Sequence, residues 1–161
     1  MKRFRSAASL ALAVVAMGLA GPAAAGEQVP FAGQFEGERT DRVPLSPTTV
    51  HDRWDVAGTA AHLGRFEQVV SVVVDFGSLP VTGVGTATFV AANGDQLFAD
   101  VSGYSQPAEP GMVWIIESGV ITGGTGRFVG TTGSYTSRRL TSLVTNETIG
   151  SFEGTVSSPG S

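Results

Sequence analysis

In the segment WIIESGVI, Glu117 is one carboxylate among Trp114, Ile115, Ile116, Val120 and Ile121. Such a group must face a wet lumen or find a partner, because an unpaired buried charge is costly. Two chemistries follow. With a raised pKa, Glu117 would suit general acid or base work. Paired with Arg127, Arg138 or Arg139 it would be a structural ion pair, and the rule that buried charges are paired favours the second reading. His51 and His62 are the only histidines. His62 stands in the turn-like Ala61-His62-Leu63-Gly64 next to Arg65, where it either touches a ligand or makes a turn-stabilising hydrogen bond. Trp54, Tyr104, Trp114 and Tyr135 each offer a flat apolar wall with one polar atom, which suits phenolic or lipid-like molecules and equally suits a core. With Arg127, the one polar side chain of interest in a glycine-rich stretch, the candidate ligand-binding set is Trp54, His62, Arg65, Tyr104, Trp114, Glu117, Arg127 and Tyr135. No catalytic residue is assigned.

Other chemistries lack their residues. The chain has no Cys, which removes thiol nucleophiles, disulfides and Cys-ligated metals. Two histidines without a carboxylate cluster give no metal-ligand spacing, so neither a metal nor a cofactor is expected. There is no G-x-S-x-G elbow to signal a hydrolase. Asn146-Glu147-Thr148, formally a glycosylation sequon, reads as a hairpin turn.

Residues 1–25 differ in kind from the rest. Lys2, Arg3 and Arg5 precede an Ala/Leu/Val run, and Ala23-Ala24-Ala25 supplies a small-residue cleavage site. This is the layout of a signal peptide, with an apolar run short for a membrane span, so a secreted or periplasmic location is expected. The remainder, residues 26–161, reads as one domain with seven arginines, no lysine and fourteen carboxylates, a net charge of −7. Nucleic acid and anionic membrane surfaces need a basic patch, so neither nucleic acid nor a membrane is expected as a partner after cleavage. Loss of lysine also excludes Schiff-base chemistry and Walker-type phosphate binding.

The elements that must position the candidates are strands. Alternating or continuous β-type runs recur at about 29–38, 48–58, 64–76, 82–92, 95–105, 111–122, 132–144 and 148–157, with no helical period between them. In RFEQVVSVVVDF, Phe66, Val70, Val72, Val74 and Phe76 share one face and Arg65, Glu67, Ser71 and Asp75 the other. Asn93-Gly94 predicts a type I′ hairpin turn. In MVWIIESGVI both faces are apolar, which fits a strand covered on two sides, in a barrel or in the middle of a sandwich. Eight antiparallel strands in a meander can close into a barrel, and that is the expected all-β fold. A short disordered tail is expected at Ser157–Ser161.

The glycine-rich stretch Ser118–Tyr135 is the place to test for a dinucleotide loop. A phosphate-binding G-x-G needs a helix behind it, whereas Gly130, Thr131, Thr132 and Gly133 interrupt any helix and a strand pattern resumes. Backbone geometry is the better reading: a tight turn with Arg127-Phe128 as one helical turn. An apolar strand, then Gly123-Gly124-Thr125-Gly126 and Phe128, then Gly130 and Gly133 before another strand, resembles the signature segment of the dirigent and allene oxide cyclase-like barrels. The segments GTAAHLGRF (Gly58–Phe66) and AANGDQLF (Ala91–Phe98) resemble secreted bacterial members of that barrel class. The resemblance implies an eight-stranded antiparallel barrel, often a homotrimer, with an apolar pocket at one mouth and no metal or cofactor. The acidic and aromatic active-site positions of the plant enzymes have no counterparts that align here, so catalysis is not carried over. The expected function is binding of a small, largely apolar or phenolic ligand in the barrel mouth. Its rivals are a cofactor-independent cyclase or isomerase, or a dirigent-like protein, and a structural or oligomerisation module.

Overall fold

The computed structural model describes residues 26–157. The expected signal peptide lies outside the described residues, as does the tail beyond Ser157. Eight strands follow in chain order: β1 (Gln28–Pro44), β2 (Thr49–Ala60), β3 (Gly64–Asp75), β4 (Thr82–Ala91), β5 (Gln96–Pro107), β6 (Met112–Gly124), β7 (Gly133–Ser142) and β8 (Glu147–Ser157). Each pairs antiparallel with its neighbours, and β8 pairs back onto β1, closing the sheet. The expected eight-stranded antiparallel meander barrel is what forms, and closure leaves no free strand edge. Ser157 belongs to β8: its hydroxyl accepts from the Thr132 N–H at 3.0 Å.

Alternation sorts the side chains. In β3, Phe66, Gln68, Val70 and Val72 are buried while Arg65, Glu67 and Val73 are exposed. Phe76 departs from the expected inner row. The Asp75 carboxylate accepts the Gly77 N–H at 2.7 Å and ends the strand in a turn, leaving Phe76 47% exposed. A second correction concerns Asn93-Gly94: Gly94 has φ +87 but Asn93 is not at positive φ, so the turn is not type I′. The Gly94 N–H donates to the Ala91 carbonyl and the Ala91 N–H to the Asp95 carbonyl. That pattern matches the longer hairpin loop in which one left-handed glycine closes the turn.

The interior divides along the barrel axis. Phe31, Phe66, Phe89, Tyr135 and Phe152 form one aromatic cluster with ring centroids 4.8 to 6.0 Å apart, mostly edge to face or tilted. Tyr135 fits because Gly119 faces it, where any Cβ would collide with the phenol ring. The β2–β3 and β6–β7 turns stop this end with Leu63 and Phe128, both about 1% exposed. Phe128 sits in a single 3-10 turn, Gly126–Phe128. Gly126, at φ +53, lies against the Asp95 carboxylate, which also accepts the Arg127 N–H at 3.2 Å. The glycine-rich stretch is thus a plug clamped to the β4–β5 turn.

Candidate functional site

At the opposite end the interior is polar, and β1 supplies its first residues. From Phe31 to Arg39 alternate residues of β1 face inward, and Arg39 pairs with Trp54 of β2. Between Arg39 and Asp41 the register shifts, leaving Thr40 unpaired, after which Arg42 pairs with inward-facing Asp52. A bulge of this kind re-aims side chains. Without it, residues 39 and 42 would point to opposite faces. With it, both arginines reach the same carboxylate: Arg42 donates from Nε at 2.7 Å and from Nη2 at 2.6 Å, and Arg39 Nη1 stands 3.9 Å away. Asp52 is almost wholly buried, and the bidentate fork fixes its orientation. Arg39 Nη2 also donates to Asn146 Oδ1 in the β7–β8 turn.

Across the barrel stands a second pair. Glu117 of β6 and Arg139 of β7 are diagonal neighbours, since Glu117 registers with Ser137 and Ile115 with Arg139. Arg139 donates from Nε at 3.1 Å and from Nη2 at 3.3 Å. Of the three arginines that could answer Glu117, Arg139 is the one that does. The guanidinium of Arg139 also lies 4.3 Å from the Trp54 ring centre, with that of Arg39 at 5.7 Å from the same ring. One indole thus serves two cations, an arrangement that stabilises charge in a partly dry site. Nearer the β7–β8 turn than Arg139, Thr141 and Thr148 share a hydrogen bond at 2.9 Å.

The charges do not balance. Among the inward-facing side chains of this mouth, Arg39, Arg42 and Arg139 share two carboxylates, Asp52 and Glu117, leaving one positive charge inside an acidic domain. Arg39 is the least satisfied: burial, then the neighbouring Arg42, lowers its pKa, and Asp52 only partly offsets this. The pKa of Arg42 is raised, chiefly by its hydrogen bonds to Asp52. The barrel below is packed. A cavity of about 10 Å³ remains beside Gln68, Glu117, Tyr135, Ser137 and Arg139, room for about one water molecule. Tyr135 has its pKa pushed above the ordinary phenol range by burial, with a contribution from the Glu117 charge.

No family model, curated protein or solved structure matches the chain.

The candidates from the sequence separate cleanly. Trp54 and Glu117 belong to the mouth, and Tyr135 faces inward at the floor of its small cavity. Trp114 lies on the outer wall, its ring stacked on the Arg138 guanidinium at 3.9 Å. Tyr104 is outward on β5 and Arg65 outward on β3. His62, at φ +65, and Arg127 sit on turns at the plugged end. His51 hydrogen-bonds Ser71 across β2 and β3 at 2.7 Å. Among the described residues, no group of three or more His, Asp or Glu side chains converges as metal ligands. Trp114, Arg138, Leu140 and Ile149 line a shallow concave strip on the outer wall. The sequence reading missed Arg39, Arg42 and Asp52. The run Glu38-Arg39-Thr40-Asp41-Arg42 looks like a solvated turn, and only the bulge turns its two arginines inward.

Proposed function

We propose that the barrel binds a small amphipathic molecule at the mouth lined by Arg39, Arg42 and Arg139, with its acidic head on the guanidiniums and its largely apolar body at the rim. The observation that carries this reading is that three guanidiniums share two carboxylates around one indole. An incoming anion supplies the missing negative charge and relieves Arg39 of part of its desolvation cost. The packed interior supports a site at the mouth over one deep in the lumen. Binding is favoured over turnover because a cavity of about 10 Å³ beside Glu117 admits no substrate skeleton. The architecture agrees with what the dirigent and allene oxide cyclase-like resemblance implies, and residues 1–25 support a secreted or periplasmic setting.

Isothermal titration with decanoate and with decanol tests the reading. Decanoate is expected to bind and decanol to bind at least tenfold more weakly, with R39Q removing the difference. Equal affinity for acid and alcohol, or no binding of either, would overturn it.

One observation favours an added role for the outer wall. Trp114, Leu140 and the exposed Ile149 present an apolar strip beside Arg138, of the sort that joins copies of a chain. A homo-oligomer, most simply a trimer, is the corresponding proposal. Sedimentation is expected to show an oligomer that I149E converts to monomer; a wild-type monomer at dilution contradicts it.

A further inference from the structure

In a closed antiparallel meander the β1–β2, β3–β4, β5–β6 and β7–β8 turns all emerge at one end, here the end that carries the arginine mouth. Three of these four turns bear large apolar side chains held out in solvent. Leu45 tips the first, Phe76 and Leu79 the second, Leu143 and Val144 the fourth, with Leu79 95% and Val144 81% exposed. The remaining β5–β6 turn runs Pro107-Ala108-Glu109-Pro110-Gly111 and bears no large aliphatic residue. Among the turns of the plugged end, the large exposed apolar side chain is Val129 alone. Solvent-held leucines on several separate turns of one end are not scattered surface residues.

We infer that this end docks on a zwitterionic phospholipid surface, with the tips entering the acyl boundary. The apolar side chains ring a polar opening, and neighbouring turns are tied by hydrogen bonds from the Phe76 N–H to the Thr48 carbonyl at 2.8 Å and from the Leu143 N–H to the Gly111 carbonyl at 2.9 Å. Such a ring can enter a fluid interface while its polar centre stays at headgroup level. The charges select the occupant. Asp41, Asp75, Glu109 and Glu147 stand on or beside the same turns, which disfavours an anionic surface and suits the ammonium of a zwitterionic headgroup. The phosphate of that headgroup meets Arg42, whose guanidinium already stacks on Phe76 at 5.4 Å, an aromatic and cation placed together as at a membrane boundary. The five apolar side chains hold roughly 22 carbons, more than a single myristoyl chain, which alone gives marginal and reversible membrane binding. Reversible docking is therefore the expected strength. The acidic composition spoke against membranes only through electrostatics; the placement of leucines on turns is invisible to a charge count.

Co-sedimentation with phosphatidylcholine vesicles tests the inference. The wild-type domain is expected to partition onto them, and L45S/L79S/V144S to lose at least tenfold in partitioning, while V129S at the plugged end behaves as wild type. All substituted positions are exposed, so thermal melts should coincide, and R39Q, whose arginine the docking does not use, should partition as wild type, which separates this inference from the proposed ligand site. Equal partitioning of wild type and triple variant, absence of partitioning, or partitioning only onto phosphatidylglycerol vesicles would overturn it. So would a wild-type dimer that the triple variant dissolves without any vesicle binding.

Discussion

Glu117 and Arg139 show what one carboxylate in an apolar strand requires. Both side chains are nearly dry, at 11% and 3% exposure, so removing one partner leaves the other charge buried. E117Q should cost about 3–5 kcal/mol in denaturant unfolding, whereas E117L/R139M, which removes both charges, should cost less than E117Q alone. Similar losses for the single and double variants would show that the pair is not coupled. Tyr135 gives a second residue-scale test. Its raised pKa means that the neutral phenol stabilises the fold fully below the unfolded tyrosine pKa, and that this contribution is lost as pH rises through the folded value. In Y104F, Tyr135 is the only tyrosine left. Its ionisation, followed by ultraviolet absorbance, should then appear above the ordinary tyrosine range and coincide with alkaline unfolding. Ionisation near pH 10 in the folded state contradicts the burial argument. At this scale the sequence was half legible. A charge inside WIIESGVI announces its need for a partner, and Trp54 announces itself as an aromatic wall. Arg39, Arg42 and Asp52 could not be read, because their meeting depends on one unpaired residue, Thr40, that no propensity marks.

The strands themselves were legible to within a few residues, because alternation is a local signal that closure of the barrel reinforces. Turn geometry was less so: Asn93-Gly94 forms a longer loop than its dipeptide suggests, since Asp95 is drawn into bonding Gly126's turn. β1 departs most, running to Pro44 where charge-rich sequence suggested an end at 38, since its extension is held by pairing with β2. The bulge makes a specific prediction. Deleting Thr40 restores a regular ladder with Arg42 still facing Asp52, so the variant should melt within a few degrees of wild type. Deleting Thr40 and Asp41 together points Arg42 outward and strands Asp52, and should unfold several kcal/mol more easily. Reversal of that order would refute the register argument. At the plug, G126A forces a side chain into a left-handed backbone and against Asp95, with an expected loss of about 1–3 kcal/mol in denaturant unfolding. No loss would mean that the turn can relax away from Asp95.

The whole molecule is a barrel with two unlike ends. One is stopped by Leu63 and Phe128 over an aromatic cluster; the other opens on arginines ringed by apolar turns. Closure was legible from the number and spacing of the strands. The filling of the interior was not, because volume depends on which strands face each other across the axis, and a hollow and a packed barrel share the same alternation. That packing leaves the lumen no room for a ligand, so the proposed site stays at the mouth, on its rim. Trp54 and Trp114 are the only tryptophans, one beneath the arginines and one on the outer wall, so each can report on its own surroundings. Fluorescence quenching by a brominated fatty carboxylate therefore tests the site most directly. In W114F, with Trp54 alone, the emission should be quenched saturably, and R39Q should weaken that quenching at least tenfold; in W54F, Trp114 should be unaffected. Saturable quenching of Trp114 with none of Trp54 would place the ligand on the outer wall and contradict the account.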